Sequence, residues 1–143
     1  MSAYSTNQTE FRDIALLLCA LNEMGFDASK VQVHETAQPL HDYRGRQTHY
    51  TDANGDKAEI IIPRKYVGGV ANDIGFRKTA NGTYEAILSQ YDRGQGYNGA
   101  WVGKLSAAYA RNGLIQKMQK QGFKYAGNGI KKDGKTQMQF VKA

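Results

Sequence analysis

Residues 91–101 read YDRGQGYNGAW, with Gly94, Gly96 and Gly99 spaced as G-x-G-x-x-G. In a dinucleotide-binding βαβ unit that spacing lets the backbone approach a pyrophosphate, and an acidic residue about 20 positions onward binds the ribose. Here the first acid after Gly99 is Asp133, which falls in a turn, and the remaining chain provides no parallel βαβ pattern. Two related readings fail as well. NGAWVGKLS (98–106) resembles a P-loop, but Asn98 stands at its first glycine and Leu105 follows Lys104 where Ser or Thr would hold magnesium. GYNG (96–99) has the G-x-x-G of a KH loop, which joins two helices, whereas a strand precedes this one. The stretch is therefore expected to be a flexible strand-to-helix connection with Trp101 anchored in the core. A rival reading makes Tyr91, Arg93, Tyr97 and Trp101 stacking faces for unpaired bases or contacts for a partner protein.

Periodicity on either side of this stretch points to an antiparallel fold. Asn7 with Glu10 reads as a capping box, followed by Phe11, Ile14, Leu18 and Leu21 at helical spacing and by Gly25 as a left-handed stop. VQVHET (31–36) alternates as a half-buried strand. Asn54-Gly55 and Asn81-Gly82 predict type I′ hairpin turns, and Asp133-Gly134 a third hairpin joining FKYAGNGI to KTQMQFV. A second helix is expected from about Gly103 to Gln121, ended by Gly122. The expected fold is α+β, a two-layer sandwich: an antiparallel sheet with two helices packed on one face. At 143 residues it is read as a single domain, 1–143.

The formal charge of +6 is unevenly placed. Residues 1–100 are nearly balanced. Residues 101–143 carry Lys104, Arg111, Lys117, Lys120, Lys124, Lys131, Lys132, Lys135 and Lys142 against Asp133 alone. Such asymmetry suggests an anionic partner, set against the plainer reading of a solvated lysine face. Arg111 stands out because its spacing places it within an apolar stripe of Ala107, Ala108, Leu114, Ile115 and Met118. It must pair, for instance with Glu85 or Asp73, or escape to the edge. A kink is expected at the adjacent Asn112-Gly113.

Several chemistries find no support. Asp52, Asn54 and Asp56 begin like a calcium loop, but Lys57 and Pro63 occupy its glycine and glutamate positions, which leaves a polar hairpin tip. His34, His41 and His49 lack the spacing of a zinc site. No nucleophile stands beside an evident base, so no catalysis and no cofactor are expected. Cys19, inside ALLLCAL (15–21), reads as a small core residue in a reducing compartment, and that run is too short to span a bilayer. The opening MSAYSTNQTE lacks the charge and apolar run of a secretory signal. A soluble cytoplasmic protein is expected.

The order of motifs resembles a known family. YSTNQTEFRDIALLLCALNEMGF is similar to its opening strand and helix, and DYRGRQT, DIGFRK, TYEAILSQ, YARNGLIQKMQKQGF and KKDGKTQMQFVK follow in its order. This is the hypothetical chloroplast reading frame thirty-five family of cyanobacteria, algal plastids and their phages. Three departures stand out: only Trp101 remains of a tryptophan-bearing segment, Arg111 replaces an aromatic, and the chain closes on Lys142-Ala143 rather than Arg-Trp. The resemblance implies a photosynthetic lineage and a stromal or cytoplasmic location (host cytoplasm if phage-encoded), and carries over no catalytic residue. The expected function is binding of nucleic acid or an acidic protein surface through the basic C-terminal third. The alternative is an adaptor or assembly factor of the photosynthetic apparatus.

Overall fold

Strand pairing, not helix capping, takes the first residues. The structure, a computed structural model, describes residues 3–130 and 135–143. Tyr4–Asn7 form β1, which pairs antiparallel with Tyr84–Ser89 (β5) from Tyr4↔Ser89 to Asn7↔Ala86. Asn7 is thus no cap, and its Oδ1 instead accepts a hydrogen bond from Arg93 at 2.6 Å. The cap of the first helix, Ile14–Glu23 (α1), is Asp13, which accepts from the Leu16 N–H. Phe11 lies buried before that helix, while Leu17, Ala20 and Leu21 form its inner face. Cys19, expected in the core, is exposed on α1. Gly25, at φ +97°, ends the helix as expected, and the Phe26 N–H reaches back to the Leu21 carbonyl.

Five strands form the main sheet in the order β1-β5-β4-β3-β2, with Gln32–Pro39 as β2, Lys57–Ile62 as β3 and Ile74–Lys78 as β4. Every pairing in it is antiparallel. One face carries Ile60, Ile62, Ile74, Phe76, Tyr84, Ala86 and Leu88 into a core shared with α1 and the long helix Gly99–Lys120 (α4). This is the two-layer α+β arrangement the sequence predicts. Tyr109 of α4 ties the helices together: its ring lies 4.9 Å from Phe11 and its hydroxyl accepts the Arg12 and Asp13 N–H groups. The short helices Arg64–Val67 (α2) and Gln90–Gly94 (α3) lie between these elements.

The Asn-Gly signals have different outcomes. Residues 79–83 do join β4 to β5, but only Gly82 has positive φ (+88°), and Asn81 uses its side chain to accept the Thr83 N–H. This is a turn with a glycine bulge rather than type I′. Asn54-Gly55 joins no pair of strands, because residues 40–56 form an irregular segment with one bridge, His41↔Gln47. VQVHET is likewise less buried than its alternation predicts, since β2 is an edge strand and Val33 is exposed.

The 40–56 segment covers the second face of the sheet, where Leu40 packs with Tyr4, Ala58, Ile61 and Ile87. A Cβ at Gly75 would stand 2.9 Å from Leu40 Cδ1 and 2.8 Å from Ala58 Cβ, so this position admits no side chain. Aspartates hold the segment in place. Asp56, expected at a polar hairpin tip, is fully buried and accepts hydrogen bonds from Thr48, Thr51 and Tyr50. Asp42 accepts the Arg44 and Arg46 N–H groups, and Asp73 those of His41 and Arg64.

Gly75→Ala is expected to lower stability by about 1–3 kcal/mol through overpacking, measured by urea denaturation; an unchanged midpoint would show that Leu40 does not close on the sheet. Burial alone would push the Asp56 carboxyl up, but the hydrogen bonds from Thr48, Thr51 and Tyr50 outweigh it and hold the pKa below its ordinary 3.8. Its contribution is therefore present above pH 3.8 and lost as pH falls through the lower folded value. Asp56→Asn should flatten the acid side of the stability–pH curve, and an identical curve for the variant would remove this role.

Candidate functional site

The last part of the chain leaves the core. Trp101, Val102, Leu105 and Ala108 are the buried residues of α4, and from Tyr109 onward every residue whose burial is described is half-buried or exposed. The C-terminal half of α4 packs with a second sheet of two strands, Phe123–Ile130 (β6) and Thr136–Lys142 (β7), which pair antiparallel from Phe123↔Lys142 to Ile130↔Thr136. Together they form an arm. Met138 and Phe140 are half-buried and Gln137 and Gln139 exposed, the alternation the sequence predicts. A bulge at Ala126, with Gly127 at φ +98°, keeps Tyr125 opposite Phe140 and brings Asn128 opposite Met138. The Tyr125 and Phe140 rings stand 5.6 Å apart, and the Tyr125 hydroxyl donates to Asn128 Oδ1 at 2.5 Å.

This arm gathers some of the basic residues and separates others. Lys117 and Lys120 occupy the last turn of α4. Lys124 is the second residue of β6, two after Gly122, and Lys142 lies opposite Phe123 on the paired strand, so Lys124 and Lys142 fall on opposite faces of the hairpin. All four are exposed, and among the described residues none has a carboxylate within 4.0 Å. Cations in the last turn of a helix complement its dipole by about 0.3–1 kcal/mol each, which accounts for Lys117 and Lys120 but not for Lys124 and Lys142. Lys104 stands near the other end of α4, and Lys135 at the far end of the hairpin. Lys131 and Lys132, with the expected Asp133-Gly134 turn, lie outside the described residues.

Arg111 is the exception in this group. It pairs with Glu23 of α1, not with the sheet carboxylates Glu85 or Asp73, while Asn112 donates to the other Glu23 oxygen at 3.1 Å. The expected stripe shifts accordingly, with Ala107 and Leu114 exposed. At Asn112-Gly113, where a kink is expected, the helical assignment of α4 continues without a break, and a Cβ at Gly113 would meet Leu16 Cδ1 at an ordinary contact distance of 3.5 Å.

The glycine-rich stretch is more ordered than a flexible connection. Ser89 caps α3, Gly96 reverses the chain at φ +102°, and Asn98 caps α4 by accepting the Trp101 N–H. Trp101 is 9% exposed, with Tyr97 edge-on to it at 5.3 Å and Phe26 at 6.3 Å. Arg93 donates to Asn7 Oδ1 and the Ser5 carbonyl, and burial pulls its pKa below the ordinary value. Burial first, and then Asp92, push the Tyr97 hydroxyl up. Arg93, Tyr97 and Trp101 thus make contacts within the fold, with Trp101 buried, Arg93 and Tyr97 half-buried, and Tyr91 exposed. Among the described residues no three His, Cys, Asp or Glu side chains are grouped to hold a metal ion.

Residues 20–139 match the family described as protein of unknown function (DUF1257). The chain belongs to that family. The match takes in the end of α1 from Ala20 onward, the 40–56 segment and nearly all of the arm, so the segment and the arm are parts of the DUF1257 domain rather than additions to it. No curated protein and no solved structure matches the chain. No helix among the described residues is long and apolar enough to cross a membrane.

Trp101→Ala is expected to cost about 3–5 kcal/mol as a core truncation, whereas Glu23→Ala, which opens a pair more than a third exposed on both sides, should cost less than about 1 kcal/mol. Denaturant unfolding of both variants checks this contrast. A neutral Trp101→Ala would return the ring to the surface reading.

Proposed function

We propose that this DUF1257 protein is a non-catalytic binding module whose arm engages an anionic partner, nucleic acid or an acidic protein surface, at the α4–β6 junction. What supports this reading is that Lys117, Lys120, Lys124 and Lys142, placed on either side of the α4–β6 turn and on the strand paired with β6, are exposed and have no carboxylate within 4.0 Å among the described residues. Acids of the body are turned elsewhere. Asp42, Asp56, Asp73 and Asp92 are buried, Asp13 and Asp27 cap helices, and Glu23 and Glu85 pair with Arg111 and Arg77. Glu10, Glu35 and Asp52 remain exposed on the body, and none of them pairs with a junction lysine, so the positive charge there can attract a polyanion at short range and steer its approach.

A second reading, a protein–protein adaptor, draws on the apolar side chains of the same arm. Leu114 and Val141 are exposed among half-buried Met118, Met138 and Phe140. The resemblance to the chloroplast reading-frame family adds a setting to this reading: a photosynthetic lineage, a stromal or cytoplasmic location, and assembly or regulation of the photosynthetic apparatus. Capture from a cyanobacterial lysate separates the two, because a partner lost on nuclease treatment supports nucleic acid and one that survives supports the adaptor.

If the four junction lysines contact phosphates, log affinity for a single-stranded or duplex oligonucleotide should fall against log salt with a slope of about −2.8 or −3.6 respectively. For a duplex, fourfold more salt then weakens binding roughly 150-fold. Changing one of these lysines to alanine should reduce the slope by about 1, uniformly across sequences. Fluorescence anisotropy reads both. No binding at low salt, or a slope indifferent to the four lysines, would remove the nucleic-acid reading.

A further inference from the structure

A separate site lies where the segment after α2 meets α3. A cleft of about 250 Å³ there is lined by Gly68, Gly69 and Val70 and by Tyr91, Asp92 and Tyr97. Asp92 has no exposed surface, yet its carboxylate is only half used. Its Oδ2 accepts the Asn72 N–H at 3.2 Å, while Oδ1 has no hydrogen-bond partner. No cation compensates it, because Arg93 is directed to the Ser5 carbonyl and Asn7. Buried polar atoms are nearly always satisfied and buried charges nearly always paired, so Asp92 is an exception that asks for a ligand.

The lining narrows the chemistry. An ionised carboxylate only accepts hydrogen bonds, so the ligand must donate. With Asp73 adding negative charge nearby, an anion such as phosphate would be repelled. The volume falls below the roughly 300–1,000 Å³ of ordinary ligand pockets, which excludes a nucleotide. Polar surface dominates the lining, which suits a charged group rather than a hydrocarbon chain. We propose that this cleft binds an ammonium or guanidinium group, its N–H donors meeting Asp92 Oδ1. This site is independent of the basic arm and of the reading built on it.

The protonation behaviour agrees. Burial first, then Asp73, push the Asp92 carboxyl above its ordinary 3.8, and hydrogen bonding with Ser89 and Asn72 offsets only part of that. A bound cation favours the ionised form, so binding strengthens as pH rises through this range. The other titratable groups that sense Asp92 are Asp73, Tyr4 and Tyr97.

Amide NMR titration of the full chain with butylammonium chloride, against sodium chloride at equal ionic strength, tests the proposal. Saturable shifts are expected at Gly68, Gly69, Gln95 and Tyr97, with a dissociation constant on the order of 1 mM. Methylammonium should bind comparably, and Asp92→Asn, which keeps an acceptor for Asn72, should weaken binding at least tenfold. Should that variant fail to fold, Gly69→Leu provides a second test, since a Cβ at Gly69 meets no atom within 4 Å and the side chain would fill the cleft. Putrescine and a capped lysine amide distinguish a free amine from the side chain of a partner protein. Absence of saturable shifts, or undiminished binding by a folded variant, overturns the proposal.

Discussion

Four buried aspartates are the constraint on which this structure depends. Asp42, Asp56, Asp73 and Asp92 sit under or beside the 40–56 segment and satisfy backbone N–H groups that an irregular chain cannot satisfy by itself. An irregular segment against a sheet leaves donors without ladder partners, and each one buried unsatisfied costs about 1–3 kcal/mol. Carboxylates with two oxygens apiece answer several donors at once. Tyr4 reports the resulting environment: its hydroxyl donates to the Asp73 carbonyl at 2.7 Å, and burial followed by the charges of Asp73, Asp92, Asp56 and Asp42 push its pKa above the ordinary value. It stays a donor, and it pins β1 to this network.

That solution for the second face sets the electrostatics of the surface. Four aspartates lie inside, while Glu10, Asp13, Glu23, Asp27, Glu35 and Asp52 stay exposed on the body among its basic side chains. The first hundred residues therefore remain close to balanced at the surface. The arm supplies the excess, since α4 beyond Ala108 and the β6–β7 hairpin carry lysines with few carboxylates nearby. Glu23 reaches one of these cations, Arg111, across the α1–α4 contact.

Much of the layering was legible because it rests on local pattern. Gly25, Gly82 and Gly122 mark ends and turns by positive φ, and the alternation of Met138 and Phe140 survives in β7. What was hidden depends on partners far apart in the chain. Nothing near Asn7 announces that β5, some 80 residues away, will capture it as a strand. Asp52 to Asp56 looks like a hydrated tip because aspartate is mostly a surface residue, and only the neighbouring Thr48, Tyr50 and Thr51 groups reveal the opposite. Arg93, Tyr97 and Trp101 read as a display of stacking groups, yet their aromatic and guanidinium character serves packing against Phe26 and Asn7. For the junction lysines, composition indicated the charge, and only the α4–β6 turn and the β6–β7 pairing place Lys117, Lys120, Lys124 and Lys142 at one end of the arm.

The central claim is the segregation of charge between a nearly balanced body and an arm whose exposed lysines have few carboxylates nearby. Solvent paramagnetic relaxation with a matched pair of cationic and anionic nitroxides measures it directly, amide by amide, on the folded chain. The account predicts stronger relaxation by the anionic probe at residues 117–124 and 140–142, with near-equal effects of the two probes over β1 to β5. Equal relaxation by both probes along the whole chain would contradict it.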